Sequence, residues 1–171
     1  MRLFASLSVS LALLASSGCG YHTLGAATHL PENLKTVAVP QFATRIEAYR
    51  METVMTQAVI RELATRTRLR VTPDASADAV LHGTILKEQV QPLTYNSSTQ
   101  QSSSFLITVV VSVTLNGRDG SVLYENKNYV YRQQYQSTTE LPGFIEESPA
   151  AVDRLSREFA RQLVADLLES F

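Results

Sequence analysis

A chain of 171 residues that is 44% hydrophobic holds enough apolar material for one well-buried core and is short for two ordinary domains. Its 15 Lys and Arg against 16 Asp and Glu leave a formal net charge of −1, without the basic surplus of a nucleic-acid module. A single cysteine excludes an intramolecular disulfide, so stability must come from the core.

Residues 1–18 carry one basic residue, Arg2, then an apolar run and the small pair Ser17-Gly18 directly before Cys19. That is the layout of a secretory signal, and its apolar run falls short of the roughly 20 residues a membrane-spanning helix needs. The small pair before Cys19 also resembles a bacterial lipoprotein box. In such signals the thiol receives a diacylglyceryl group, cleavage precedes the cysteine and the new amino terminus is acylated. Each buried methylene contributes about 0.8 kcal/mol, and two or more chains make the anchor stable. Cys19 is therefore the expected lipidation site. Removal of Arg2 with the signal leaves 14 basic against 16 acidic residues in residues 19–171. Gly20 stands where, by resemblance to enterobacterial lipoproteins, an aspartate would favour inner-membrane retention, so the periplasmic face of the outer membrane is expected. The division is then 1–18 signal, 19–34 lipidated tether leading into the domain, and 35–171 a single domain.

In chain order, Lys35 to Pro40 is a β-branched run stopped by proline and reads as a strand. Met51, Met55, Val59 and Leu63 recur at four-residue spacing, which predicts an amphipathic helix over about Tyr49 to Arg66. Leu69 to Thr72 before Pro73 is a second strand, and strand, helix, strand favours parallel pairing. Ala79 to Gln91 reads as a third strand ended by Pro92, with Gly83 a bulge or a point of close approach. The polar run from Tyr95 to Ser104 reads as a loop or strand tip.

In Phe105, Ile107, Val109, Val111, Val113 and Leu115 every second residue is apolar, while Thr108, Ser112 and Thr114 fall on the other face, which predicts a long strand with one face on a core and the other partly wet. The turn signals from Asn116 to Ser121 reverse the chain into a partner strand, Val122 to Tyr135. After a linker containing Pro142-Gly143, Ser148-Pro149 marks the start of a final helix. Its stripe of Val152, Leu155, Phe159, Leu163 and Leu167 faces a core. The expected fold is an α+β two-layer sandwich: two helices packed on one face of a mixed β-sheet with long antiparallel strands.

Cys19-Gly20-Tyr21-His22 with Gly25, then Leu30-Pro31-Glu32-Asn33-Leu34-Lys35-Thr36-Val37-Ala38-Val39-Pro40-Gln41-Phe42, resembles the start of the lipopolysaccharide-assembly lipoprotein family, LptE, also called RlpB. The likeness continues through Ala58 to Leu63, Thr67 to Val71, Ala77 to Gly83, the hairpin around Val122 to Asn126 and the terminal helix. The resemblance implies a non-enzymatic lipoprotein that plugs and helps assemble a large outer-membrane β-barrel, LptD, and binds lipopolysaccharide. A polar sheet face on an elongated domain suits a polar barrel lumen. A periplasmic adaptor that recruits a soluble partner or stabilises another envelope complex is the alternative.

Lipopolysaccharide binding calls for cations near apolar surface. Lys87, Arg118, Lys127 and Arg132, on or beside the long strands, are the candidates; Tyr21, His22 and Tyr95 are candidate barrel contacts. Catalysis is not expected. His22, His29 and His82 lack the spacing of a metal motif, no Gly-x-Ser-x-Gly elbow or phosphate-cradling loop occurs, and Cys19 is committed to the anchor. No cofactor, metal or nucleic-acid partner is expected.

Overall fold

The computed structural model describes residues 34–45, 50–74, 76–96, 101–138, 145–146 and 148–170. The signal, Cys19, Tyr21, His22, His29 and the Pro142-Gly143 linker lie outside the described residues. Within them the order is β1 (Thr36–Ala38), β2 (Ala43–Thr44), α1 (Met51–Arg66), β3 (Arg70–Thr72), β4 (Ala79–Asn96), β5 (Gln101–Gly117), β6 (Val122–Thr138), β7 (Ile145–Glu146) and α2 (Ser148–Glu169).

The sheet runs β3-β1-β4-β5-β6-β7, with β2 also beside β4. β1 lies parallel to both β3 and β4, and β2 parallel to β4. The three later pairings are antiparallel. This is the mixed α+β sandwich that the periodicities predict, with the strand–helix–strand unit closed by parallel pairing of β1 and β3.

Helical and strand periods meet in one core. From β5, Ile107, Val109, Val111, Val113 and Leu115 are all buried, while Thr108, Val110, Ser112 and Thr114 between them are half-buried on the other face. α1 contributes Met51, Met55, Val59 and Leu63, and α2 contributes Leu155, Phe159, Leu163 and Leu167. Burying one such Leu, Met or Phe contributes about 1.5–3 kcal/mol. Val152, on the predicted stripe, is only partly buried.

Phe159 is the centre of this layer. Phe42, Tyr129 and Tyr131 meet its ring edge-on at centroid distances of 6.1, 5.7 and 5.5 Å. Tyr129 also donates its hydroxyl to Asp166 Oδ2 at 2.5 Å and contacts the Tyr124 hydroxyl, tying β6 to α2. Burial and the Asp166 carboxylate both push the Tyr129 phenol far above its ordinary range.

Polar bonds fix how the chain enters the sheet. Asp78 Oδ2 accepts from the backbone N–H groups of Lys35 (3.1 Å) and Thr36 (2.9 Å) and from Thr36 Oγ1 (2.8 Å), and Thr36 Oγ1 accepts from Asp78 N. The Phe42 N–H donates to Thr56 Oγ1 on α1 at 3.0 Å, and that hydroxyl donates to Glu52 O at 2.6 Å.

Several boundaries differ from expectation. Pro92 does not end β4, which continues to Asn96. β1 and β2 pair with β4 only as far as Ile85, and the register shifts just after Pro92. A proline is tolerated at such an edge and beside such an irregularity. Of the two readings of the polar stretch from Tyr95 to Ser104, loop or strand tip, its described ends are strand: Tyr95 pairs with Ser102 and Asn96 with Gln101, while residues 97–100 lie outside the described residues. β5 is thereby 17 residues long, where alternation alone marks Phe105 to Leu115. The short strands β2 and β7 carry no sequence signal of their own.

Candidate functional site

Which face a strand residue occupies depends on register, and β4 contains an irregularity that decides it. Ala79, Leu81, Gly83 and Ile85 all point into the core; simple alternation would place Lys87 there too. The register instead shifts between Ile85 and Lys87, so that Ile85 opposes Val111 while Lys87 opposes Val110. The bulge moves Lys87 to the face away from the helices and turns Glu88 inward, opposite buried Val109. Burial raises the Glu88 carboxyl above its ordinary value.

Across β5 the same rows continue into β6. Val110 opposes Val130, and Thr108 opposes Gln89 on one side and Arg132 on the other. Lys87, Val110 and Val130 thus form one row, and Gln89, Thr108 and Arg132 the next. With two strand spacings and one two-residue step between them, the Lys87 and Arg132 α-carbons stand about 12 Å apart. Both side chains are exposed, and between them Val130 is 38% exposed. The patch is two cations flanking a shallow apolar and hydroxyl floor, and it can receive an anionic headgroup alongside apolar surface. No described helix lies over this face.

The other two candidate cations lie elsewhere. Arg118 sits in the β5–β6 turn, where its guanidinium donates to Asp78 Oδ1 at 3.1 Å and to Ser76 O at 2.5 Å. It is eight positions along β5 from Val110, at about 3.4 Å per residue. Lys127 lies where β6 bulges opposite β5 and pairs with Glu125 at 3.2 Å. The structure therefore brings Lys87 and Arg132 together and leaves Arg118 and Lys127 with acidic partners of their own. Tyr95 falls at the far end of β4. Tyr21 and His22 lie outside the described residues.

Val130 is the member of the patch that sequence reasoning missed. The alternation Tyr129-Val130-Tyr131 is the available signal, because it puts Val130 on the face opposite the two tyrosines, which meet Phe159. No helix of the described residues is long and apolar enough to cross a membrane. No group of three or more His, Cys, Asp and Glu among the described residues could hold a metal ion.

A family model described as LptE, Lipopolysaccharide-assembly, matches residues 34–167. Comparison with curated proteins gives no match. Among solved structures the fold is similar to that of a protein from Xanthomonas campestris, with a TM-score of 0.52 at 11% identity over 80% of this chain and 85% of that one. It is also similar to a protein from Chlamydia trachomatis (TM-score 0.51, 13% identity, 78% and 95% covered). Uncharacterized lipoprotein B from Nitrosomonas europaea gives a TM-score of 0.50 at 15% identity, with 85% and 92% covered. At these identities the likeness is one of fold.

Proposed function

Because the chain belongs to the LptE family of lipopolysaccharide-assembly lipoproteins, we propose that it is a non-catalytic outer-membrane lipoprotein that plugs a large LptD-type β-barrel and binds lipopolysaccharide there. Acyl chains on Cys19 hold it at the periplasmic face, and the folded body enters the barrel lumen.

The observation that carries this reading is the face of β4, β5 and β6 over which no described helix lies. Thr84, Gln89, Thr108, Ser112 and Thr114 give it hydroxyls and amides where a freely packed sheet would bury apolar side chains. A barrel interior is polar, and the hydroxyls and amide of such a face suit it. On the same face Lys87 and Arg132 supply charge-assisted bonds to the phosphates or carboxylates of lipopolysaccharide, with Val110 and Val130 beneath an acyl chain.

A photo-crosslinking residue placed at Thr108 or Ser112 tests it in cells. Adducts with one large barrel protein are expected at both positions. Adducts only with soluble periplasmic proteins would replace the plug by an adaptor.

A further inference from the structure

The end of α1 and the strand after it concentrate positive charge. Residues 61–70 hold Arg61, Arg66, Arg68 and Arg70 against one acid, Glu62, in a chain whose net charge is −1. One cation at a helix C-terminus complements the dipole, and one on an edge strand discourages pairing with another chain. Four arginines within ten residues exceed both needs.

The fold adds a fifth cation. β3 pairs with β1 so that Thr36 opposes Arg70, and the Arg70 N–H donates to Lys35 O at 2.9 Å. Lys35 and all four arginines are exposed. Arg66 has an acidic partner, Glu62 at 3.4 Å; the other four side chains form no ion pair among the described residues. The carboxylates nearby are engaged elsewhere, Asp78 with Thr36 and Arg118 and Asp74 with Ser76. The cations spread over a helix end and a sheet edge, with Arg61 and Arg66 about 7.5 Å apart along the helix axis. A small apolar cavity beneath them, walled by Val37, Leu63, Thr67 and Leu69, takes in none of the five. Such a surface suits a broad partner and not a small enclosed ligand.

We propose that this arginine surface docks on the anionic headgroups of a phospholipid bilayer. Guanidinium forks bond phosphate oxygens in pairs, which fits a patch built of arginine in preference to lysine. Each cation brought to an anionic membrane strengthens binding about fivefold. The chain enters the described fold at this same end, because Leu34 precedes Lys35. An acyl anchor upstream and the arginines would then hold the same bilayer, a point that rests on the anchor at Cys19. Val37 of β1 is level with Ala79 of β4, and Lys87 lies eight positions further along β4, about 25 Å away. Docking by the arginines therefore sets the Lys87 and Arg132 patch back from the bilayer surface.

Co-sedimentation with vesicles tests the docking in the absence of barrel, lipopolysaccharide and acyl chain. Residues 19–171, which contain every described element of the fold, are produced without acylation. They should bind vesicles of equal parts phosphatidylcholine and phosphatidylglycerol at low salt and leave them at about 1 M salt, where the Debye length falls to about 3 Å. Arg61→Gln, Arg68→Gln and Arg70→Gln should each weaken binding about fivefold, and the triple variant about 100-fold. All three positions are exposed, so the melting temperature should hold. Arg157→Gln, on α2 and paired with Asp153, should bind as the parent does. Equal binding to vesicles of phosphatidylcholine alone would overturn the proposal, as would an equal loss in Arg157→Gln. Full vesicle binding by the triple variant would overturn it too, and poorer recovery of a barrel with that variant would then assign the surface to an acidic protein partner.

Discussion

The ring of Phe42 occupies the space that a side chain at Gly83 would need: a β-carbon built on Gly83 overlaps three of the ring's carbons. Phe42 reaches that position from the segment between β1 and β2, and its other edge meets Phe159 on α2. Gly83→Ala should therefore displace the ring and loosen the seam between the two helices, a cost of about 1–3 kcal/mol typical of overpacking. Thermal unfolding is the measurement. The variant should melt several degrees lower with the same lipid association, whereas an unchanged midpoint would show that Phe42 does not hold this place.

Two carboxyl groups should give opposite pH signatures. Hydrogen bonds from Thr36, Lys35 N–H and Thr36 N–H hold Asp78 below its ordinary value of 3.8, so it favours the folded state when ionised. That contribution is present at neutral pH and is lost as pH falls through the folded-state value. Asp78→Ala should lower the melting temperature at pH 7, with the difference shrinking below about pH 4. Glu88 is the reverse case. Burial raises its pKa above 4.5, so its charged form opposes folding, and the penalty disappears as acid protonates it. Glu88→Gln should raise the melting temperature at pH 7 and have little effect under acid conditions. Melting curves of both variants at pH 3 and pH 7 decide the signs.

Lys87 and Arg132 provide the functional test of the patch. Removing either charge by Lys87→Gln or Arg132→Gln should weaken lipopolysaccharide binding about tenfold, the loss expected for one charge-assisted hydrogen bond. Both positions are exposed, so the melting temperature should hold. Lys127→Gln, whose charge is paired with Glu125, serves as the control and should bind nearly as the parent does. Equal losses for all three variants would point to general charge attraction in place of a site.

Much of the fold was legible because local patterns agreed with it. The period-two run of β5 and the four-residue spacing of α1 each declare a face, and both are buried as declared except at Phe105, which is only partly buried. Pro92 misleads because its effect depends on what lies beside the strand, and β4 has lost its parallel partners by that point. β2 is two residues long, too short to carry a period. The patch was half legible. Its cations could be named from the sequence, but alternation from Ala79 sends Lys87 into the core, and only the bulge after Ile85 places it beside Arg132. The Arg118–Asp78 pair is 40 residues apart in sequence, so nothing local announces that this cation has a partner.

The proposed anchor at Cys19 should be separable from folding. Cys19→Ala should leave the melting temperature of the domain unchanged while moving the protein into the soluble periplasmic fraction, because acyl chains contribute membrane affinity and no core contact. Fractionation in a strain depleted of large barrel proteins removes retention by a partner. Sedimentation of the variant with those membranes would contradict the anchor.

The claim that this protein plugs a barrel is tested most directly by recovering it from outer membranes in mild detergent and weighing what comes with it. Mass spectrometry of the purified complex should find one large β-barrel protein at about one to one, stable through gel filtration, as a plug seated in a closed lumen requires. Recovery of the lipoprotein alone, or with soluble periplasmic proteins and no barrel, would contradict it.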